Sequence, residues 1–133
     1  MLRCVIVDDS PGFRLAARRL LEREGISIVG VASTTREALE EAERLRPDVV
    51  LVDIQLGAES GFDVARRLWR ATAPVPPPVI LISTHDEQDF AELIATSPAL
   101  GFLPKATLSA RSIRELLGGR GNVGSPVSEL PGR

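Results

Sequence analysis

The sequence predicts an α/β protein in which five parallel strands alternate with five helices in a doubly wound sheet. Five short apolar runs lack polar alternation, as expected of parallel strands that are covered on both faces. These runs are residues 2–7, 26–32, 49–52, 79–82 and 100–103. Segments with helical spacing of apolar residues separate the runs, and this regular alternation favours right-handed crossovers.

The helix boundaries are predicted from capping residues and glycines. Ser10 and Pro11 are a suitable N-cap and first-turn pair for the first helix. Thr34 and Glu37 have the spacing of a capping box at the start of the second. The remaining helices are expected over about residues 61–70, over about 87–95, and from Ser109 to the glycine pair at 118–119.

Length and composition indicate one folded domain followed by a flexible end. We assign residues 1–118 to the domain and residues 119–133, which are rich in Gly, Pro and Ser, to a flexible tail or linker. The net charge of -2 argues against a strongly basic nucleic-acid surface. The chain shows neither a signal-peptide pattern nor a membrane-spanning apolar run, so we expect a cytoplasmic protein without membrane contact. Cys4 is expected to be a buried hydrophobe rather than a nucleophile.

Polar residues follow four of the five predicted strands. Asp8 and Asp9 follow the first, Asp53 the third, Ser83 and Thr84 the fourth, and Lys105 the fifth after Pro104. In a doubly wound sheet, ligands bind at the carboxyl ends of the strands. We therefore expect three acids, a hydroxyl and an ammonium to meet in one crevice.

The chemistry of such a cluster indicates a hard cation and a phosphoryl group. Two carboxylates about 4 Å apart repel by roughly 4 kcal/mol at an effective dielectric near 20, so three together need a proton or a cation. Oxygen ligands in an open site suit Mg²⁺. Lys105, the only lysine of the chain, would neutralise one phosphoryl oxygen, and Ser83 would hydrogen-bond another. A carboxylate can act as the nucleophile in such a transfer.

Each of these residues has a simpler interpretation when it is taken alone. Asp8 or Asp9 could be a charge at a helix terminus, and Asp53 a turn residue. The Ser83–Thr84 pair could cap the fourth helix, and a single lysine is usually a solvated surface charge. Their joint placement at four strand ends favours the functional interpretation.

These residues make the sequence resemble the receiver domains of two-component response regulators. The resemblance covers residue 1 to about residue 118 and is closest to receivers that precede a helix-turn-helix DNA-binding domain. It is carried by VIVDDS at 5–10, VVLVDIQLGAESGFDVARRL at 49–68, VILIST at 79–84 and GFLPKA at 101–106. It implies a flavodoxin-like fold with strand order 2-1-3-4-5.

The resemblance also implies a role for each residue of the site. Asp53 would accept a phosphoryl group from a phosphohistidine on a sensor histidine kinase or a histidine phosphotransfer protein. Asp9, Asp53 and the backbone carbonyl of Gln55 would bind Mg²⁺ directly, and Asp8 would help through a water molecule. Ser83 and Lys105 would hold the phosphoryl oxygens.

A switch of the interaction surface is implied in the same way. Ser83 would move toward the phosphoryl group and Phe102 would turn inward behind it, which remodels the face of the fourth helix, fifth strand and fifth helix. A homodimer through that face is one expectation. Phe102 as an ordinary core residue is the alternative.

Three further positions, Gln55, Thr84 and His85, stand where the family tunes the lifetime of the phosphoryl group. The Gln55 side chain could orient an attacking water or face solvent, and His85 is expected to face solvent. Thr84 is bulkier than the alanine that is common there. Alanine follows Lys105 where proline is frequent, and the Leu56–Gly57 pair replaces Met-Pro, so we expect a looser loop after Asp53.

Two functions of other classes are also considered. A phosphatase with a carboxylate nucleophile usually has a second Asp two residues later as general acid, and Gln55 stands there. A receiver-like interaction module without phosphorylation would not need the complete set of Asp9, Asp53, Ser83 and Lys105. We therefore expect a phosphoacceptor signalling domain rather than an enzyme, either acting alone through a partner or preceding an output domain.

Overall fold

A five-stranded parallel sheet lies between two layers of helices in the computed structural model, which describes residues 1–71 and 75–124. Its strands are β1 (Arg3–Val7), β2 (Ser27–Ala32), β3 (Val49–Asp53), β4 (Val79–Ser83) and β5 (Gly101–Pro104). The order across the sheet is β2-β1-β3-β4-β5, and every neighbouring pair is parallel. The predicted flavodoxin-like, doubly wound architecture is confirmed, and each predicted strand boundary lies within about one residue of the observed one.

The five α-helices are α1 (Pro11–Arg23), α2 (Thr35–Leu45), α3 (Gly61–Ala71), α4 (Ala91–Thr96) and α5 (Ala110–Gly124). Both predicted N-caps are confirmed, since the Ser10 hydroxyl accepts from the Phe13 amide at 3.3 Å and the Thr34 hydroxyl from the Glu37 amide at 3.2 Å. The reciprocal bond of the capping box is displaced, because the Glu37 carboxylate accepts from the amide and hydroxyl of Ser33. No helix within the described residues is long and apolar enough to cross a membrane.

Two helices differ from the prediction. The fourth begins as a 3₁₀ turn over Glu87–Phe90, and only Ala91–Thr96 is α-helical; none of its residues is buried, so little packing supports a longer helix. The prediction that α5 ends at the glycine pair 118–119 is wrong, because the helix continues to Gly124. Glycine within a helix costs about 1 kcal/mol relative to alanine but does not by itself end it.

The predicted flexible tail, residues 119–133, is thus helical over its first six residues. The other nine, 125–133, lie outside the described residues.

The hydrophobic core has two halves, one on each face of the sheet, because successive strand side chains point to opposite sides. Val5 and Val7 of β1 pack toward α2 and α3, in a cluster that also holds Phe62 and Phe102. Cys4 and Ile6 point the other way, into a cluster with α1 and α5. Since apolar layers cover both faces, the strand ends are the part of the sheet left for polar chemistry.

A short antiparallel hairpin follows β3 and was not predicted. Gln55–Leu56 pairs with Glu59–Ser60, and Gly57 at the turn has φ of 61°. That left-handed backbone is readily available to glycine, which explains why a hairpin closes where we expected a looser loop.

Cys4 provides a test of this core. Its side chain is fully buried, and burial raises the pKa of the thiol to about 12. Because the reactive species is the thiolate, we expect no labelling of the native protein by iodoacetamide at pH 8 over hours, and stoichiometric labelling in denaturing urea. Mass spectrometry reads the result directly because the chain has one cysteine. Rapid labelling of the native protein would contradict this packing.

Candidate functional site

The sheet register brings the predicted polar residues to one edge. Val7 pairs with Val52, so the residues that follow β1 lie beside the end of β3. Asp53 pairs with Ile82 of β4, and Ser83 pairs with Pro104 of β5, which immediately precedes Lys105. The predicted convergence at the carboxyl edge is confirmed for the acids and the lysine by the distances that follow.

Three carboxylates form the centre of the site. One oxygen from each of Asp8, Asp9 and Asp53 lies within 4.8 Å of the others. Asp8 is fully buried, Asp53 is 8% exposed and Asp9 is exposed. Like charges this close repel strongly in a partly desolvated place, so the cluster needs a positive partner.

Lys105 supplies that positive charge. Its Nζ lies 2.7 Å from Oδ2 of Asp8 and 3.3 Å from Oδ2 of Asp53. It also lies 4.2 Å from the centroid of the Phe13 ring on α1, a cation–π contact. Burial lowers the pKa of the Lys105 ammonium, but its close contacts and charge interactions with the two carboxylates outweigh that effect and raise the pKa above its ordinary value.

Asp53 is held in an environment that disfavours its charged form. Burial, followed by the negative charge of Asp8, raises the pKa of the Asp53 carboxyl above its usual range. Lys105 and the Gln55 amide, which donates to Oδ1 of Asp53 at 3.2 Å, act in the opposite direction without cancelling the shift. The carboxylate therefore carries electrostatic strain that an added cation would relieve.

The donor set fits Mg²⁺. Oδ2 of Asp8 is buried and, among the described residues, accepts no hydrogen bond of good geometry, its close neighbour being the Lys105 ammonium. Three carboxylates facing one ammonium leave an excess of negative charge, and all the candidate ligands are oxygens. Asp9 is the exposed, solvent-facing member of the group.

Two residues that support the site were missed by sequence reasoning. Phe13 lies in the first predicted helix and was not assigned to the site, yet its ring faces the Lys105 ammonium. Gly61 was assigned only to the start of α3, yet a Cβ there would lie 2.1 Å from the carbonyl oxygen of Asp53. The glycine directly after the hairpin was the available signal for this close backbone approach.

Ser83 lies at the end of β4 and is 3% exposed. Its hydroxyl accepts from the His85 amide at 3.0 Å, and Nδ1 of His85 lies 3.5 Å from the same oxygen. Among the described residues, no side-chain hydrogen bond caps the 3₁₀ turn that follows, so the interpretation of Ser83–Thr84 as a helix cap is not supported. Thr84 and His85 are exposed, and the His85 ring stacks edge-on against Phe90 at 6.0 Å.

Phe102 is buried in the core, whereas Gln55 is exposed at the surface. Phe102 is 7% exposed and belongs to the core cluster beneath α2 and α3, so its side chain already points inward. Gln55 is exposed, while its backbone amide contacts Asp53.

The fold and this acidic site are those of a phosphoacceptor signalling domain, and comparison with known proteins identifies the family. The family model of the response regulator receiver domain matches residues 4–117. The chain therefore belongs to the receiver domains of two-component response regulators.

Solved structures and curated relatives agree with this assignment. The signal receiver domain of NarL from Mycobacterium tuberculosis superposes with a TM-score of 0.77 at 31% identity, covering 91% of this chain and 97% of that one. A protein-glutamate methylesterase/protein-glutamine glutaminase of Syntrophus aciditrophicus is 37% identical over 84% of this chain and 32% of its own length. The response regulator GacA of Pseudomonas viridiflava is 28% identical over 87% of this chain and 54% of its own. The chain thus spans about a third to a half of these curated relatives.

The contact between Gly61 and Asp53 predicts a strong effect of a single methyl group. Gly61→Ala is expected to lower the free energy of unfolding by about 1–3 kcal/mol, because the backbone around Asp53 must shift to admit the Cβ. Gly118→Ala is the matched control, since its Cβ would meet nothing within 4 Å in the part of the chain that the structure describes. We expect that variant to be stabilised by about 0.5–1 kcal/mol, as for glycine within a helix. Urea unfolding followed by circular dichroism measures both, and equal effects would show that Gly61 has no special constraint.

The raised pKa of Asp53 predicts that its charge destabilises the metal-free protein. The pKa of Asp53 is higher in the folded state than in the unfolded state. Ionisation of such an acid lowers the free energy of unfolding, and this loss is present at pH values above its pKa. Asp53→Asn is therefore expected to raise the midpoint of thermal unfolding at pH 7 in the presence of a chelator. Asn keeps an acceptor for the Gln55 amide, so the change reports mainly on charge. A lower midpoint would contradict the electrostatic argument.

Proposed function

We propose that Asp53 is the phosphoacceptor and that the chain receives the phosphoryl group from a phosphohistidine of a sensor histidine kinase or a histidine phosphotransfer protein. The observation that carries this proposal is the position of Lys105, whose Nζ lies 3.3 Å from Oδ2 of Asp53. At this distance, the ammonium could pair with an oxygen of a phosphoryl group carried by the Asp53 carboxylate.

The transfer is a displacement at phosphorus. An oxygen of the Asp53 carboxylate forms a bond to phosphorus while the bond from phosphorus to the imidazole nitrogen of the donor breaks. The electron pair of the broken bond returns to the imidazole. The Lys105 ammonium and the Gln55 amide favour the ionised, nucleophilic form of Asp53, because both oppose the raising of its pKa.

Mg²⁺ would be held by Asp9, Asp53 and the backbone carbonyl of Gln55, with Asp8 acting through water. When bound, such an ion neutralises charge on the phosphoryl oxygens. Asp8 already holds the Lys105 ammonium at 2.7 Å, so this residue also orients the group that meets the phosphoryl oxygens.

The output would pass through Ser83 and Phe102 to the face of α4, β5 and α5. The Ser83 hydroxyl would leave its bond with the His85 amide to donate to a phosphoryl oxygen. Phe102 pairs with Leu81 of the same strand that carries Ser83, so movement at the end of β4 would reach its ring. Pairing of two chains through this face is the partner arrangement that we propose, with no nucleic-acid contact by this segment.

Three exposed residues at the mouth of the site, Gln55, Thr84 and His85, would set how long the phosphoryl group persists. The Gln55 side chain would orient a water toward the phosphorus, and Thr84 would narrow the approach. His85 would act by its position beside Ser83 rather than as an acceptor of the phosphoryl group.

Incubation with acetyl phosphate and Mg²⁺, followed by intact-mass spectrometry, tests the proposal. We expect a gain of one phosphoryl group that needs Mg²⁺ and is abolished in Asp53→Asn. Asp63→Asn is the control, since that acid lies on the surface of α3 and pairs with Arg67; it should be phosphorylated like the wild type.

Each other outcome identifies a different function. Unchanged mass of the wild type would favour an interaction module that works without phosphorylation. Rapid steady release of phosphate from phosphate esters would favour a phosphatase. Modification that survives in Asp53→Asn would place the acceptor elsewhere.

A further inference from the structure

The hairpin after β3 is tied to a distant helix by one carboxylate. Oε1 of Glu59 accepts from the backbone amide of Thr35 at 2.7 Å and from the Thr35 hydroxyl at 2.8 Å. Thr35 is the first residue of α2 and is 5% exposed. These two hydrogen bonds, which we call the Glu59–Thr35 tie, therefore join the surface hairpin to the buried first residue of α2.

Two other points of the same hairpin lie beside the acidic site. Its first strand begins at Gln55, whose amide donates to Oδ1 of Asp53 at 3.2 Å. At its turn, a Cβ on Gly57 would lie 3.6 Å from Oδ2 of Asp9. Its second strand carries Glu59, which pairs with Leu56 across the hairpin. The hairpin thus lies between the acids and the start of α2.

We infer that Glu59 is a positioning residue for the divalent-cation site, which fixes the hairpin so that the Gln55 backbone meets the ion. This inference rests on the proposed Mg²⁺ site. Glu59 touches neither the ion nor the phosphoryl group in this arrangement and acts through the hairpin alone.

The physical reason is that the hairpin is too small to hold its own shape. Each strand has two residues, and short isolated hairpins are at most marginally stable in water. A carboxylate at the N-terminus of a helix is stabilised by the free amides and the helix dipole. The hydrogen bond from the Thr35 amide, and after it the one from the Thr35 hydroxyl, lower the pKa of Glu59 below its usual value. The Glu59 carboxylate is therefore ionised at neutral pH, the form that accepts both bonds.

Glu37 offers a close comparison on the same helix terminus. Its Oε1 accepts from the amide of Ser33 at 2.8 Å and from the Ser33 hydroxyl at 2.9 Å. It therefore makes the same kind of two-donor contact near the start of α2, but it is attached to the end of β2 and not to the hairpin. Loss of Glu37 should disturb α2 without releasing Gln55.

The experiment measures Mg²⁺ affinity by isothermal titration calorimetry with four proteins: the wild type, Glu59→Ala, Glu59→Gln and Glu37→Ala. Glu59→Ala is expected to bind Mg²⁺ roughly tenfold more weakly, the lower end of the loss seen when an outer partner of a metal ligand is removed. Glu59→Gln keeps an oxygen that can accept both Thr35 bonds and should recover most of the affinity. Glu37→Ala should bind Mg²⁺ like the wild type.

A second readout separates positioning from simple stability. If the Glu59–Thr35 hydrogen bonds raise the affinity for Mg²⁺ by some factor, bound Mg²⁺ must favour formation of those hydrogen bonds by the same factor. Hydrogen exchange of the Thr35 amide should therefore slow on addition of Mg²⁺ in the wild type and in Glu37→Ala. In Glu59→Ala, Mg²⁺ should leave the exchange rate of that amide unchanged.

The outcomes distinguish this inference from the function on which it rests. Equal Mg²⁺ affinity in the wild type and Glu59→Ala, with normal binding in both, would overturn the role of Glu59 alone. Equal weakening in Glu59→Ala and Glu37→Ala would overturn it too, since a general loosening of α2 would then explain the effect. Failure of the wild type to bind Mg²⁺ would overturn the proposed site itself.

Discussion

The structure depends on one unfavourable arrangement: three carboxylates that crowd a partly buried edge and share a single ammonium. Asp8 is fully buried, and Nζ of Lys105 lies 2.7 Å from its Oδ2. That ammonium comes from the strand at the end of the sheet order β2-β1-β3-β4-β5, whereas the acids come from β1 and β3. The cluster therefore forms only when the sheet is complete, and the apolar packing on both faces must offset its repulsion.

The same arrangement explains why glycines and small contacts surround the acids. Gly61 lets α3 begin against the backbone of Asp53, where any side chain would collide. The Phe13 ring lies against the Lys105 ammonium, which limits the directions in which that long side chain can move. The Ser83 hydroxyl accepts a hydrogen bond from the His85 amide, and its O–H can still donate to another group at the end of β4. Each contact keeps the acids and the lysine close without neutralising them completely.

The sequence predicted what hydrophobic periodicity and strand order control, and it failed where local packing decides. The strands were found because their apolar runs are continuous, and the meeting of Asp53 with Lys105 was predicted because both residues stand at carboxyl ends of parallel strands. The broken fourth helix was missed because its spacing looks helical while none of its residues is buried. The end of α5 was misplaced because glycine permits termination but does not enforce it. The bond between Glu59 and Thr35 joins residues 24 positions apart in a loop and a helix cap, for which no periodic pattern exists.

The acidic cluster contacts both helical layers of the fold. These contacts determine which elements a change of charge at Asp53 would displace. On one side, Lys105 contacts the α1 layer through Phe13; on the other, Gln55 leads through the hairpin and Glu59 to α2. A phosphoryl group would compete with Asp53 and Asp8 for the Lys105 ammonium. A cation would bind the Gln55 backbone and so act on the hairpin. Because packed cores shift between discrete arrangements rather than deform smoothly, a small displacement at these anchors would be passed to elements on both faces. Ser83 and Phe102 would then be one of two routes out of the site, and α2 the other.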